Sequence, residues 1–272
     1  MTLNATLTRG LVCALAVWLS GCAQGVSGPA PAARPDHSVD LQTESDETPN
    51  QRRARMRLEL ATAYFQQGQT HIALDEVKQA LVIDPTYADA YNLRGLVYLR
   101  LNDLPLAAGS FERALALNPR DADVAHNYAW LLCQHGQYEA SVKYFSQAIA
   151  NPTYAHPAKS WMSQGLCQLR AGQTNDAKVS LLRSYGLDAG HPVTAYNLAR
   201  LLFELGEIQP AQAYLLKLNS GPSANAETLW LGIKIERLLN NQDAVIALVD
   251  QLRVRFAKSR ESIAYEKGAF HE

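Results

Sequence analysis

Pro85 and Pro119 stand 34 residues apart and close two segments written to one pattern. Leu60, Ala61, Tyr64, Gly68, Ala73, Val77 and Ala80 lead up to the first proline; Tyr91, Gly95, Tyr98, Ala107, Phe111 and Ala114 lead up to the second. One small residue marks each segment, and such marks recur at positions 61, 95, 129, 165, 199 and 232, with spacings of 34, 34, 36, 34 and 33 residues. A period of that length, with apolar residues at helical spacing inside it, allows few folds. Each period is a pair of helices that cannot bury its apolar face alone, so successive pairs must stack. The small marks let two helices approach closely, the aromatic and aliphatic positions fill the space around that contact, and proline stops the second helix for want of a backbone donor. A composition that is 47% hydrophobic but only 8% aromatic suits an Ala- and Leu-rich array of this kind.

These segments fit the tetratricopeptide pattern W-x2-L-G-x2-Y…A-x3-F…P. The expected fold is therefore all-α, a superhelical solenoid of about six tetratricopeptide (helix–turn–helix) repeats over residues 51–258. A third repeat carries Tyr128, Ala129, Leu132, Gly136, Phe145 and Ala148, and is followed by a two-residue insertion around 151–157. The fourth, with Trp161, Gly165 and Leu181, departs from the pattern at Gln164 and Gln168. The fifth carries Leu198, Ala199 and Leu215, and the sixth, with Leu231, Gly232 and Leu248, lacks a closing proline. Pro105 and Pro210 fall where first turns of second helices are expected, a tolerated place. Thr86 and Asp89 have capping-box-like spacing. The more polar residues 259–272 read as a terminal cap or frayed tail.

The amino terminus carries an address. Arg9 precedes an apolar run from Leu11 to Leu19, and small residues follow at Ser20 and Gly21. That is the layout of a signal peptide over residues 1–21, with a run shorter than the roughly 20 apolar residues a spanning helix needs. Leu19-Ser20-Gly21-Cys22 resembles the bacterial lipobox, which implies cleavage before Cys22 and lipidation of its thiol. Several acyl chains hold a membrane far more firmly than one. Ala23, where an Asp would signal inner-membrane retention, implies sorting to the outer membrane, with the chain anchored by lipid on its periplasmic face. Residues 22–50 contain Pro29, Pro31, Pro35 and Pro49 among Ala, Ser, Asp and Thr, and read as a lipidated, disordered tether with a reach of roughly 30 Å.

The formal charge is −1, and loss of Arg9 with the leader takes it to −2. No basic surplus points to nucleic acid as a partner. Of four cysteines, Cys13 falls in the leader and Cys22 in the lipobox, leaving Cys133 and Cys167 in adjacent repeats. An oxidising compartment permits a bridge between them. The expectation favours free, buried cysteines acting as small apolar residues. No C-x-x-C and no histidine spacing suggests a metal, and no nucleophile–base pair, paired carboxylate or phosphate loop suggests an enzyme. The residues thus imply no catalytic residues, cofactor or small-molecule substrate.

The family resemblance places a binding groove on the first helices. It selects Leu58, Thr62 and Phe65 in repeat one, and Asn92, Leu96, Leu99 and Arg100 in repeat two. Further along it selects His126, Trp130, Cys133 and Gln134, then Met162, Leu166, Leu169 and Arg170, then Tyr196, Arg200 and Phe203. Leu58, Phe65, Leu96, Leu99, Trp130 and Met162 are the candidate partner-binding residues. They suit an apolar peptide or helix better than a carboxylate clamp, since Leu58 and Thr62 stand where a clamp would offer Lys and Asn. Asn127 and Asn197 are expected to bond the local backbone, and His126 to be a satisfied polar residue.

A narrower resemblance covers nearly all of residues 12–258. Arg57-Leu-Glu-Leu-Ala61-x-x-Tyr64, Asp75-Glu-Val-Lys-Gln-Ala-Leu, Ala90-Tyr-Asn-Leu-Arg-Gly and His126-Asn-Tyr-Ala-Trp-Leu-Leu-Cys133 resemble the type IV pilus biogenesis lipoproteins of the PilF/PilW pilotin family. That likeness implies a non-enzymatic scaffold, lipid-anchored at the outer membrane, whose partners are the secretin subunits of the type IV pilus and whose role is their localisation and multimerisation. A tetratricopeptide lipoprotein scaffold for outer-membrane protein or cell-wall assembly would show the same repeats and lipobox.

Overall fold

The structure, a computed structural model, describes residues 46–270. The leader, Cys22 and most of the tether lie outside the described residues. Within them the chain forms thirteen helices and no strand. Six antiparallel pairs follow in order: α1 (Pro49–Gln66) with α2 (Thr70–Ile83), α3 (Ala88–Arg100) with α4 (Leu104–Leu117), and α5 (Ala122–Gln134) with α6 (Tyr138–Ala150). Then come α7 (Pro157–Arg170) with α8 (Thr174–Leu187), α9 (Pro192–Glu204) with α10 (Ile208–Asn219), and α11 (Ala226–Leu238) with α12 (Gln242–Phe256). A short α13 (Arg260–Glu266) ends the array. No helix among the described residues is long and apolar enough to cross a membrane.

The small marks lie at the pair contacts. Where the mark is glycine, the large residue sixteen positions on packs directly over it. A Cβ on Gly95 would lie 2.5 Å from the Phe111 ring, one on Gly165 2.8 Å from Leu181, and one on Gly232 3.1 Å from Leu248. Where it is alanine, the same offset pairs Ala61 with Val77, Ala129 with Phe145, and Ala199 with Leu215, all buried. The first helices end alike, on a residue in the left-handed region: Gly68, Asn102, Gly136, Gly172, Gly206 and Asn240. The turn after α1 shows why. Gly68 N–H donates to Phe65 O and Gln69 N–H to Tyr64 O, bonds that close only when the intervening residue has positive φ.

Helix starts follow local chemistry. Thr48 and Gln51 form a reciprocal capping box that starts α1 at Pro49, inside the stretch read from sequence as tether. Asp103 and Asp121 cap α4 and α5 by accepting from Leu106 N–H and Val124 N–H. Thr86 does not cap α3, because its hydroxyl donates to Asp84 and the N-cap position is Tyr87. Gln164 and Gln168 are buried and tied to one serine: Gln164 donates to Ser180 Oγ, which donates to Gln168 Oε1 at 2.7 Å. A hydrogen-bonded polar layer thus replaces the apolar one in repeat four.

Two findings concern the joints. Cys133 on α5 and Cys167 on α7 form a disulfide, with Cα atoms 5.8 Å apart, packed against Ala129 and Phe145. The expectation of free thiols is therefore corrected: the two cysteines lie in successive first helices that pack side by side. At the other end of the same joint, buried His126 (5% exposed) shares a hydrogen bond with Ser160 through Nδ1 at 2.8 Å, and Ser160 shares another with the Tyr154 hydroxyl at 3.0 Å. His126 is thus a satisfied core residue, as its sequence context suggested.

Burial, with Lys159 and His156 nearby, pulls the His126 pKa down to about 4. In the unfolded chain an imidazole takes up its proton near pH 6.5, so between about 6.5 and about 4 the unfolded state binds the extra proton. Stability therefore falls as pH drops through that window, and the deficit is complete below about 4, where it amounts to about 3 kcal/mol. Urea titrations at pH 7 and pH 4 should show the wild type losing about that much more than His126→Gln. Equal losses would mean the imidazole does not titrate in that way.

The array ends on α13, which is capped by Ser259 and packs on both α11 and α12. Phe270 stacks on Trp230 at 5.1 Å, lies under the Arg237 guanidinium at 3.5 Å and takes the edge of Tyr265. Up to Phe270, the polar terminal segment is a docked cap.

Candidate functional site: the face of the first helices

Successive first helices touch one another, α1 with α3, α3 with α5, α5 with α7 and α9 with α11, whereas no two second helices pack to that extent. The first helices thus form the tight, inner side of the curve, and side chains on their free face share one elongated surface.

Phe65, Leu96, Leu99, Trp130 and Met162 are half-buried there. Each has one side in the core and one side free. Phe65 packs on the core of repeats one and two, and Leu96 and Leu99 on that of repeats two and three. Trp130 packs over the disulfide cluster, and Met162 on the core of repeats four and five. Leu58 differs. It is only 9% exposed, belongs to the core cluster of Ala61, Val77 and Leu93, and shows no more than an edge in a depression beside Thr62 and Tyr87. A charge there would damage folding before it reached any partner.

Arginines hold the aromatic members. The Arg100 guanidinium lies 3.6 Å over the Phe65 ring and donates to Phe65 O, and Arg170 lies 5.3 Å over Trp130. Sequence reasoning saw these as scattered basic residues. Their spacing from the rings crosses a repeat, which periodicity alone does not relate. Further along, Leu166 and Leu169 form the floor of a depression bordered by Arg170, Asn197 and Arg200. Asn197 donates to its local backbone at Val193 O, as expected, whereas Asn127 donates to Asn92 Oδ1 at 3.1 Å and bridges repeats two and three. The arrangement offers apolar and aromatic surface with cationic edges. No group of three metal-ligating side chains occurs among the described residues.

Comparison with known proteins agrees with this architecture. Tetratricopeptide repeat models match residues 58–122 and 128–192, and a second such model matches 110–143. The type IV pilus assembly protein PilF of Pseudomonas aeruginosa is 28% identical over 256 residues, spanning 94% of this chain and 96% of that protein. A solved structure of Pseudomonas aeruginosa pilF superposes with a TM-score of 0.73 at 26% identity, covering 81% of this chain and all of that one. The crystal structure of PilW, a widely conserved type IV pilus biogenesis factor, gives a TM-score of 0.69 at 30% identity over 78% of this chain and 97% of that one. With 28–30% identity to PilF and PilW and nearly the whole length of each relative covered, the chain belongs to the PilF/PilW family of type IV pilus tetratricopeptide-repeat proteins.

Proposed function

We propose that the chain serves type IV pilus biogenesis as a pilotin: a scaffold, lipid-anchored through Cys22 at the periplasmic face of the outer membrane, whose inner face holds secretin subunits while they reach the membrane and multimerise. The observation that carries the binding part is the row of half-buried Phe65, Leu96, Leu99 and Trp130, with arginines fixing both rings. Such a row suits an apolar helix or extended segment read at successive anchors. The lipobox carries the address, and a tether of roughly 30 Å leaves the repeats free to meet subunits below the membrane.

Leu96→Glu and Leu99→Glu are expected to lower the ratio of assembled secretin multimers to monomers in cell envelopes. Loss of a buried interface anchor removes about 2 kcal/mol, roughly thirtyfold in affinity. Asp75→Asn, on the exposed side of α2, should be silent. Glu112 is no such control, because it accepts a hydrogen bond from the Tyr128 hydroxyl at 2.7 Å. Cys22→Ser should leave the repeats folded yet remove the protein from the membrane fraction, with the same loss of outer-membrane multimers. Normal multimers in folded variants charged at Leu96 and Leu99 would move binding to another face; normal multimers with Cys22→Ser would sink the lipid address.

A further inference from the structure

The first helices follow one another in close contact except at one place. Among the described residues α1 touches α3, α3 touches α5, α5 touches α7 and α9 touches α11, but α7 and α9 do not pack to that extent. A hollow of about 390 Å³ lies between them, lined by Leu166, Leu169 and Arg170 from α7 and by Asn197 and Arg200 from α9. It opens directly after the joint that the Cys133–Cys167 bond draws together. At the starts of the same two helices a second hollow is lined by Lys159, Met162 and the two cap histidines, His156 and His191. The one carboxylate there is Asp188, whose Oδ1 accepts from Gly190 N–H at 3.1 Å.

No carboxylate lines the hollow between Leu166 and Arg200, whereas a guanidinium stands on each wall. Arg170 rests over the Trp130 ring at 5.3 Å and has no ion pair among the described residues. A guanidinium on a ring face keeps its N–H edge for acceptors. Arg200 reaches Glu204 at 3.7 Å, an exposed pair one helical turn apart and therefore weak. The whole chain carries a formal charge of −1, so this positive lining is local. Leu166 and Leu169 are half-buried, each with a free side. A small inorganic anion would answer the arginines and leave the leucines wet. A purely apolar segment would cover the leucines and leave both arginines without a counter-charge.

We infer that the gap between α7 and α9 receives an acidic segment of a protein partner, in which an apolar side chain flanked by carboxylates covers Leu166 and Leu169. One flanking carboxylate answers Arg170 on the α7 wall and the other Arg200 on the α9 wall. A segment that runs through is favoured over a chain end, because half-buried inner-face residues continue on both sides, Trp130 on α5 before the gap and Phe203 on α9 beyond it. The inference rests on the inner face being a protein-binding surface, and extends it to repeats four and five with a requirement for negative charge.

The test follows the fluorescence anisotropy of dye-labelled peptides, blocked at both ends, against the full chain in neutral detergent. One peptide repeats Gly-Glu-Leu-Glu and the other its neutral isostere Gly-Gln-Leu-Gln. The glutamate peptide should bind saturably, and the glutamine peptide roughly tenfold or more weakly. Both are compared on the unaltered protein, so that outcome does not depend on any variant folding. Arg170→Gln/Arg200→Gln should bring the glutamate peptide down to the level of the glutamine peptide. Lys78→Gln/Lys143→Gln, which removes as much charge from exposed positions of α2 and α6, should not. No saturable binding of the glutamate peptide, equal binding of the glutamine peptide, or equal losses in the two double variants would each overturn the inference. So would tight binding of the glutamine peptide once its C terminus is left free, which would assign the hollow to a chain end. The secretin assay at Leu96 and Leu99 tests the inner face by itself. Multimers lost there, with no preference between the peptides here, would keep that face as a binding surface and remove only the acidic segment between α7 and α9.

Discussion

Gly95→Leu should lower the stability of the array by about 3 kcal/mol, the upper end of what overpacking a core ordinarily does. Even the first added carbon would sit 2.5 Å from the Phe111 ring, which is fully buried and cannot swing out of the way. Either α3 and α4 separate or the ring abandons its rotamer, and both strain the neighbouring repeats that share those surfaces. Gly109→Ala is the matched opposite. That glycine lies inside α4 with nothing within 4 Å of an added Cβ, so alanine should stabilise by about 0.5–1 kcal/mol through helix propensity alone. Urea denaturation midpoints moving in opposite directions are the expected result. An unchanged midpoint for Gly95→Leu would mean that the pair contact is not where the repeat register puts it.

The second large effect belongs to the Cys133–Cys167 bond. Crosslinking residues 34 apart in sequence restricts the unfolded chain by an amount that a loop-entropy model puts at about 4 kcal/mol. Reduction should therefore move the denaturation midpoint of the wild type to that of the Cys133→Ala/Cys167→Ala double variant, which should itself ignore reductant. Amide exchange should quicken first in α5 to α8, where the bond joins neighbouring repeats. A midpoint indifferent to reductant in the wild type would show that the sulfurs are not bonded in solution.

The helix pairs, their register and their contact residues were legible because they follow from a period: a small residue opposite a large one, repeated. What crosses from one repeat to the next was less so. Cys133 lies four residues beyond its small mark at Ala129, but Cys167 lies two beyond Gly165. The two cysteines are out of phase, and only the actual packing of α5 on α7 brings them together. Leu58 shows a related limit. The pattern assigns it to the inner face, yet how far a neighbour covers it depends on packing with α3, and there it is closed over. Nor does any periodicity distinguish a glutamate at the surface from Glu236, which is buried and accepts from the side-chain amides of Gln212 and Asn241. The lipobox, by contrast, is a purely linear signal, and the described residues do not reach it.

The arginines over Phe65 and Trp130 have a thermodynamic and kinetic consequence. A bare aromatic side chain on a surface samples several rotamers, and a partner that fixes it must overcome that freedom, about 0.5–1.5 kcal/mol for each side chain immobilised. Here the guanidinium of Arg100, itself fastened to the backbone of the preceding repeat, has already selected one orientation for Phe65. That ordering is completed when the chain folds, once and in advance of any encounter. A segment bound there as proposed would meet a template rather than an ensemble. Loosening the template by Arg100→Ala would therefore register chiefly as a shorter lifetime of the complex, with the frequency of productive encounters little altered.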